Sequence, residues 1–159
     1  MPEITIRHLA SGEARTCAGM MASSEPWLTI GRTFDECLDL LIDPTREAYV
    51  AEEGGAVCGF IVINMRCGPF TGYIQTICVA PETRGGGVGS RLVAFAEERI
   101  FRDSPNVFLC VSSFNPRARA LYERLGYETI GEIRDLIVRG HSEILMRKSI
   151  APMRESRKT

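Results

Sequence analysis

The sequence is short of several things, and each absence closes off a class of function. It lacks charge of one sign: 19 Lys and Arg stand against 20 Asp and Glu, a net charge of −1. No global field therefore draws it to nucleic acid. The one basic cluster, Arg154 to Lys158, sits in the last residues and reads as part of a frayed, disordered basic tail, 151–159. No apolar run is long enough to cross a bilayer. The opening MPEITIRHLA lacks the charged-then-apolar form of a secretory signal. There are only two histidines, His8 and His141, far apart and without ligand spacing, and none of the six cysteines forms a C-x-x-C. A structural metal site is not expected from that set. Cys58, Cys78 and Cys110 lie in apolar runs and read as small buried hydrophobes. With no export signal to argue for disulfides, the expectation is a cytoplasmic, metal-free protein.

What is present is an ordinary globular composition, 45% hydrophobic and 25% charged over 159 residues. That suits one domain with a sizeable core, here 1–150. The chain is organised around Tyr73 to Leu92, YIQTICVAPETRGGGVGSRL. Tyr73 to Val79 is apolar and β-branched, a buried strand that Ala80-Pro81 ends. After the glycines, Val88, Leu92, Phe95, Ala96 and Ile100 recur at helical spacing. The stretch is strand, glycine-rich turn, helix. Unpaired N–H groups and the macrodipole at that helix end favour an anion such as a pyrophosphate.

Three anion-binding patterns compete with a merely flexible turn. A P-loop needs Lys-Ser/Thr after its last glycine, and Ser90-Arg91 follows Gly89. A dinucleotide fingerprint, which would imply a nicotinamide-dependent oxidoreductase, needs a third glycine that Ser90-Arg91-Leu92 does not supply. The third pattern, R-x-x-G-x-G, is met by Arg84, Gly87 and Gly89.

Around that centre the elements follow in order. Ile4 and Ile6 alternate with Thr5 and Arg7 in a first strand. Ser11 caps a helix to about Met21. A loop follows through Ser23 to Trp27, where Trp27 either plugs the core or lines a pocket. Thr33 caps a second helix, Phe34 to about Ile42. Glu47–Glu52 and Ala56–Asn64 form a hairpin turned by Gly54-Gly55. A loop from Arg66 to Gly72 leads into the central strand. After the helix, Asn106–Val111 is a strand, parallel to the central one through a right-handed crossover. Asn115 caps, and Pro116 opens, a helix whose stripe is Ala118, Leu121, Tyr122 and Leu125, with Gly126 as its left-handed stop. Tyr127 to about Val138 and Glu143 to about Ser149 form a terminal antiparallel pair turning near Arg139-Gly140.

The run Asn115 to Tyr127, NPRARALYERLGY, completes a second motif, N-x-x-A-x-x-L-Y-x-x-x-G-[FY], one strand behind the first. The pair of motifs and the element order over residues 4 to 149 resemble the GCN5-related N-acetyltransferase (GNAT) superfamily. The resemblance implies an α/β (α+β) single-domain fold: a mixed sheet of about six to seven strands flanked by about four helices, with splayed parallel strands at the acyl-CoA site.

It also implies direct transfer of acetyl from acetyl-CoA to a primary amine of a small molecule, peptide or protein. A non-catalytic acyl-CoA-binding module on the same fold is the alternative. By position, Arg84, Gly85, Gly86 and Gly87 with Val88, Gly89 and Ser90 would meet the pyrophosphate. Ile77, Cys78 and Val79 would pair with the pantetheine arm and polarise the thioester carbonyl. Asn115, Arg117 and Ala118 would contact the cofactor. Tyr122 would lie near the sulfur as general acid, although its place on an apolar stripe equally suits a core tyrosine. Trp27, Gln75 and Ser112 would face the acceptor. Here the chain departs from the family, which often carries a glutamate base on the core strand; this strand offers Gln75 and Thr76. Glu25 is a distant substitute, and the base stays unassigned. A homodimer is left open.

Overall fold

The computed structural model describes residues 2–155. Seven strands form one mixed sheet: β1 Ile4–His8, β2 Glu47–Glu53, β3 Ala56–Cys67, β4 Phe70–Val79, β5 Asn106–Ser112, β6 Glu128–Arg134 and β7 Ser142–Ser149, in the order β1-β2-β3-β4-β5-β7-β6. Five α-helices accompany them: α1 Ala14–Ala22, α2 Trp27–Ile30, α3 Phe34–Ile42, α4 Val88–Phe101 and α5 Pro116–Arg124. The mixed sheet is as expected; the fifth helix is the single turn α2, standing where a plain loop was read.

Strand alternation on β3 builds a core on each face. Phe60 and Val62 look toward α1 and α3, where they meet Met21, Cys37 and Leu41. Ile61 and Ile63 look toward α4, where they meet Leu92, Ala96 and Ile100. Each such fully buried side chain is worth about 1.5–3 kcal/mol. At the start of α1, Ser11 is not the cap. Ser11–Glu13 is a 3₁₀ turn, and Glu13 accepts from the Ala10 N–H at 2.9 Å while Arg7 clamps its carboxylate at 2.7 Å. Thr33 does cap α3, in a reciprocal box with Glu36.

Two further boundaries differ from the sequence reading. The Arg66–Gly72 loop is almost entirely strand, because Cys67 pairs with Phe70 and the turn needs only Gly68-Pro69. Pro69 sits where no ladder N–H is required. The terminal hairpin is shorter than its apolar residues suggest. β6 ends at Arg134, and 135–141 is a loop that leaves Leu136 and Ile137 about half exposed.

Two irregularities in β4 position the site. Gly72 has φ +84°; a Cβ there would meet the Ile100 side chain and lie 2.7 Å from the Asn106 carbonyl oxygen. Only glycine lets β4 pass this close to α4 and β5. Further along, Val62 faces Thr76 while Ile63 faces Ile74, so Gln75 is an extra residue, a β-bulge. A bulge bends its strand and sharpens the twist. The parallel pairing of β4 with β5 covers Tyr73↔Phe108 and Ile74↔Leu109 and goes no further. From Gln75 on, the strands part.

Candidate active site

The gap left by the splayed strands holds two cavities. The larger, about 520 Å³, runs from Ile77, Cys78 and Val79 to the start of α4 and along α5. The smaller, about 170 Å³, lies deeper between the strands, against Gln75 and Ser112. Pro26, Trp27, Ile77, Asn115, Ala118 and Tyr122 line both, so the cavities meet there.

Gly87, with φ +84°, caps α4 without a side chain. The N–H groups of Val88, Gly89 and Ser90 open the helix and have no intrahelical acceptor, and among the described residues no loop carbonyl takes them. Gly85 N–H is likewise free, whereas Arg84 N–H and Gly86 N–H make long turn bonds of 3.4 Å to Pro81 and Thr83. The Arg84 side chain folds back, its Nε donating to the Val79 carbonyl at 3.2 Å and its Nη2 to Ser24 Oγ at 3.3 Å. The loop thus offers a set of convergent amides and the helix dipole, and it can hold a phosphate anion. Three guanidiniums, Arg84, Arg117 and Arg124, line this cavity against one carboxylate, Glu25.

On α5, Asn115 caps the helix by accepting from the Ala118 N–H at 3.3 Å, and Gly126 has φ +97° beyond its end. The apolar stripe read from sequence is only partly covered: Tyr122 is buried, while Ala118 and Leu121 are half-buried and line the larger cavity. Tyr122 is 5% exposed and packs edge-on to Tyr127 at 5.9 Å. Its hydroxyl has no hydrogen-bond partner among the described residues, although it lines both cavities. Burial pushes the phenol well above its ordinary value, which keeps it a proton donor.

A model of the acetyltransferase (GNAT) family matches residues 13–127 of this chain. The chain belongs to the GNAT acetyltransferase family. It is 35% identical over 123 residues to S-(2-succino)cysteine N-acetyltransferase of Bacillus subtilis, covering 71% of this chain and 73% of that one. It is 30% identical over 134 residues to N-alpha-acetyltransferase RimI of Mycobacterium tuberculosis, covering 80% of each. In fold it is similar to an aminoglycoside 6'-N-acetyltransferase crystallised with coenzyme A, with a TM-score of 0.74, 19% identity, and coverage of 95% of this chain and 99% of that one. The chain is accordingly an N-acetyltransferase with an acyl-CoA cosubstrate.

All the residues that the GNAT resemblance assigned to the cofactor line the larger cavity, except Gly86. Of the acceptor-side residues, Gln75 and Ser112 line the smaller cavity, and Trp27 starts α2 at the junction, half-buried. Glu25 is exposed on the larger cavity and engaged by Thr29, accepting from its hydroxyl at 2.7 Å and its N–H at 3.3 Å. Sequence reasoning missed Arg124 on the larger cavity and Arg32, Leu136, Ile137 and Glu143 on the smaller one. Among the described residues no cluster of three metal-ligating side chains occurs and no helix is long and apolar enough to cross a membrane.

Proposed function

We propose that acetyl-CoA lies in the larger cavity and that a primary amine of a small molecule, peptide or protein enters the smaller one, to be acetylated where the two meet. The observation that carries this reading is the parting of β4 and β5 past Ile74, which opens a groove with Tyr122 at the junction of its two arms. The amides of Gly85, Val88, Gly89 and Ser90 take the pyrophosphate, and Arg117 and Arg124 supply positive charge along the rest of the cosubstrate. The unpaired edge of β4 at Ile77 to Val79 pairs with the pantetheine amides, and a backbone N–H there polarises the thioester carbonyl. Asn115 and Ala118 border the arm.

The amine attacks the carbonyl directly. The carbon–sulfur bond breaks, its electrons pass to sulfur, and the Tyr122 hydroxyl hydrogen-bonds or protonates the departing thiolate. The phenol's raised pKa suits donation rather than base chemistry. Trp27 and Gln75 border the acceptor. The activities for which the two sequence relatives are named, on a cysteine derivative and on an α-amine, favour an acceptor whose amine belongs to an amino acid or a chain terminus. Residues 1–150 form the catalytic domain, and the cytoplasm is its compartment, the described cysteines all being free thiols.

The test is release of coenzyme A thiol from acetyl-CoA against a panel of 2-phenylethylamine, phenylalanine amide, a peptide with a free N-terminus, and spermidine. Turnover with any member supports the reading. Tight acetyl-CoA binding with no turnover of any amine makes the protein a binding module instead.

A further inference from the structure

β4 carries no carboxylate to take the acceptor's proton, yet the smaller cavity contains one from another strand. Glu143, the second residue of β7, is 7% exposed and lines that cavity. It is brought there by the β5–β7 register, which sets Ser112 opposite it. The Ser112 hydroxyl donates to its Oε1 at 2.7 Å, and Oε2 has no donor among the described residues. A buried carboxylate with one oxygen held and the other open to a cavity is arranged to accept from something that enters.

We propose that Glu143, positioned by Ser112, binds the acceptor's ammonium through Oε2 and removes its proton. This rests on the acetyl-transfer reading above. The step balances simply. An ammonium gives one proton to the Glu143 carboxylate and becomes the free amine, whose lone pair forms the new carbon–nitrogen bond as the carbon–sulfur bond breaks. Tyr122 gives its proton to sulfur, and the nitrogen's surplus proton restores the phenol. Glu143 returns its proton to water.

The surroundings fit that role. The titratable groups facing Glu143 are Tyr73 from β4 and Cys110 from β5, with Tyr122 on α5 and Arg32 elsewhere on the cavity wall; β6 presents Ile133 opposite it. Burial raises Tyr73, Cys110 and Tyr122, so all three stay neutral near pH 7. Burial also raises Glu143 above the usual glutamate range, against the lowering by Ser112, which makes its carboxylate a stronger base. Glu143 and Arg32 are the two charged residues of the lining, and Arg32 is in no salt bridge among the described residues. One carboxylate neutralises one ammonium, while Arg32 repels a second and attracts an anionic group. With Ile30, Leu136 and Ile137 as apolar wall, the acceptor class is a mono-amine of amino-acid type rather than a polyamine.

The experiment compares Glu143→Gln and Glu143→Asp with wild type, using the alkylamine 2-phenylethylamine as acceptor across pH, alongside calorimetric acetyl-CoA titration. An alkylamine with a pKa of about 10.4 is only about one part in 10³ unprotonated near pH 7.4, so an enzyme limited to that fraction loses up to about 10³-fold. For Glu143→Gln the expected result is a fall in kcat/KM of about 10² to 10³-fold near neutral pH, recovering about tenfold per pH unit, with acetyl-CoA affinity unchanged. Glu143→Asp regains part of the loss. Because the folded state favours the neutral acid, the stability that this preference gives is present below the unfolded pKa and lost as pH rises through the raised folded one. Glu143→Gln is therefore expected to be at least as stable as wild type above that range, so its loss of activity is not a loss of fold. An infrared titration with 2-phenylethylamine in the presence of coenzyme A should shift the Glu143 carboxylate band in wild type, whatever the turnover. An unchanged kcat/KM and pH profile in Glu143→Gln, an amine-insensitive carboxyl band, or a preference for spermidine overturns the inference. A wild type that does not bind acetyl-CoA overturns the acetyl-transfer reading itself.

Discussion

Gly89 offers a perturbation in which stability and binding separate. It is the second residue of α4, in helical conformation, and its N–H points out of the helix start. A Cβ added there would lie 3.7 Å from Val79 Cγ2 and 3.8 Å from Leu121 Cδ2, both ordinary contacts. Alanine is therefore accommodated without strain. Replacing glycine by alanine within a helix gains up to about 1 kcal/mol. For a chain of this size that raises Tm by about 2–4 °C. Valine starts from the same Cβ and adds two γ-methyls beside Val79 and Leu121, where the larger cavity is the free space. There they stand over the amides that the pyrophosphate needs. The expected order of acetyl-CoA affinity is Gly89, then Gly89→Ala, then Gly89→Val. The valine variant should lose at least about tenfold, or 1.4 kcal/mol. Calorimetric titration with acetyl-CoA, paired with a thermal scan, measures both quantities. A folded Gly89→Val variant with wild-type affinity would refute the anion-loop assignment. Affinity and Tm falling together in both variants would show damage to the helix rather than a blocked site.

Two further expectations concern the frame. Gly72→Ala forces a left-handed residue and a clash with the Asn106 carbonyl, 2.7 Å from the new Cβ; left-handed strain of about 1–2 kcal/mol and overpacking of about 1–3 kcal/mol together give a loss of roughly 2–5 kcal/mol, read by chemical denaturation. A variant within about 0.5 kcal/mol of wild type, the range of ordinary surface substitutions, would show that β4 does not need this close approach. Glu13 is lowered from 4.5 to about 2, chiefly by its hydrogen bond from Arg7. Its folded pKa is depressed, so its contribution is present above the unfolded pKa and lost as pH falls from 4.5 toward 2. Glu13→Gln should flatten that part of the stability–pH curve, and an unaltered acid limb would remove the Arg7 clamp from the account.

The parts of the molecule legible in the sequence are those written in local chemistry. Asn115-Pro116 and Gly126 delimit α5 because cap, first-turn proline and left-handed stop each act within a few residues of the backbone they serve. The strand, glycine turn and helix from β4 to α4 were legible for the same reason. The smaller cavity was not. Glu143 reaches the cavity only because β7 inserts between β5 and β6 and pairs Ser112 with a residue 31 positions on, a long-range register no local pattern encodes. Leu136 and Ile137 looked like strand residues, since hydrophobicity alone does not distinguish a buried strand from a loop that lines a pocket. The bulge at Gln75 is likewise invisible until the partner strand is known, yet it accompanies the parting of the strands on which the site depends.

The central claim is that thioester cleavage takes place beside Tyr122. The most direct measurement is kcat for acetyl transfer by Tyr122→Phe, which keeps the ring and its packing against Tyr127 and removes only the unpartnered hydroxyl. A coenzyme A thiol has a pKa near that of free cysteine, about 8.5, so its thiolate is a tolerable leaving group and the loss belongs at the low end of general-acid effects. The account predicts a fall in kcat of about 10 to 10²-fold with acetyl-CoA affinity little changed, the pattern of a contact made in the transition state. A Tyr122→Phe enzyme with full kcat would contradict it.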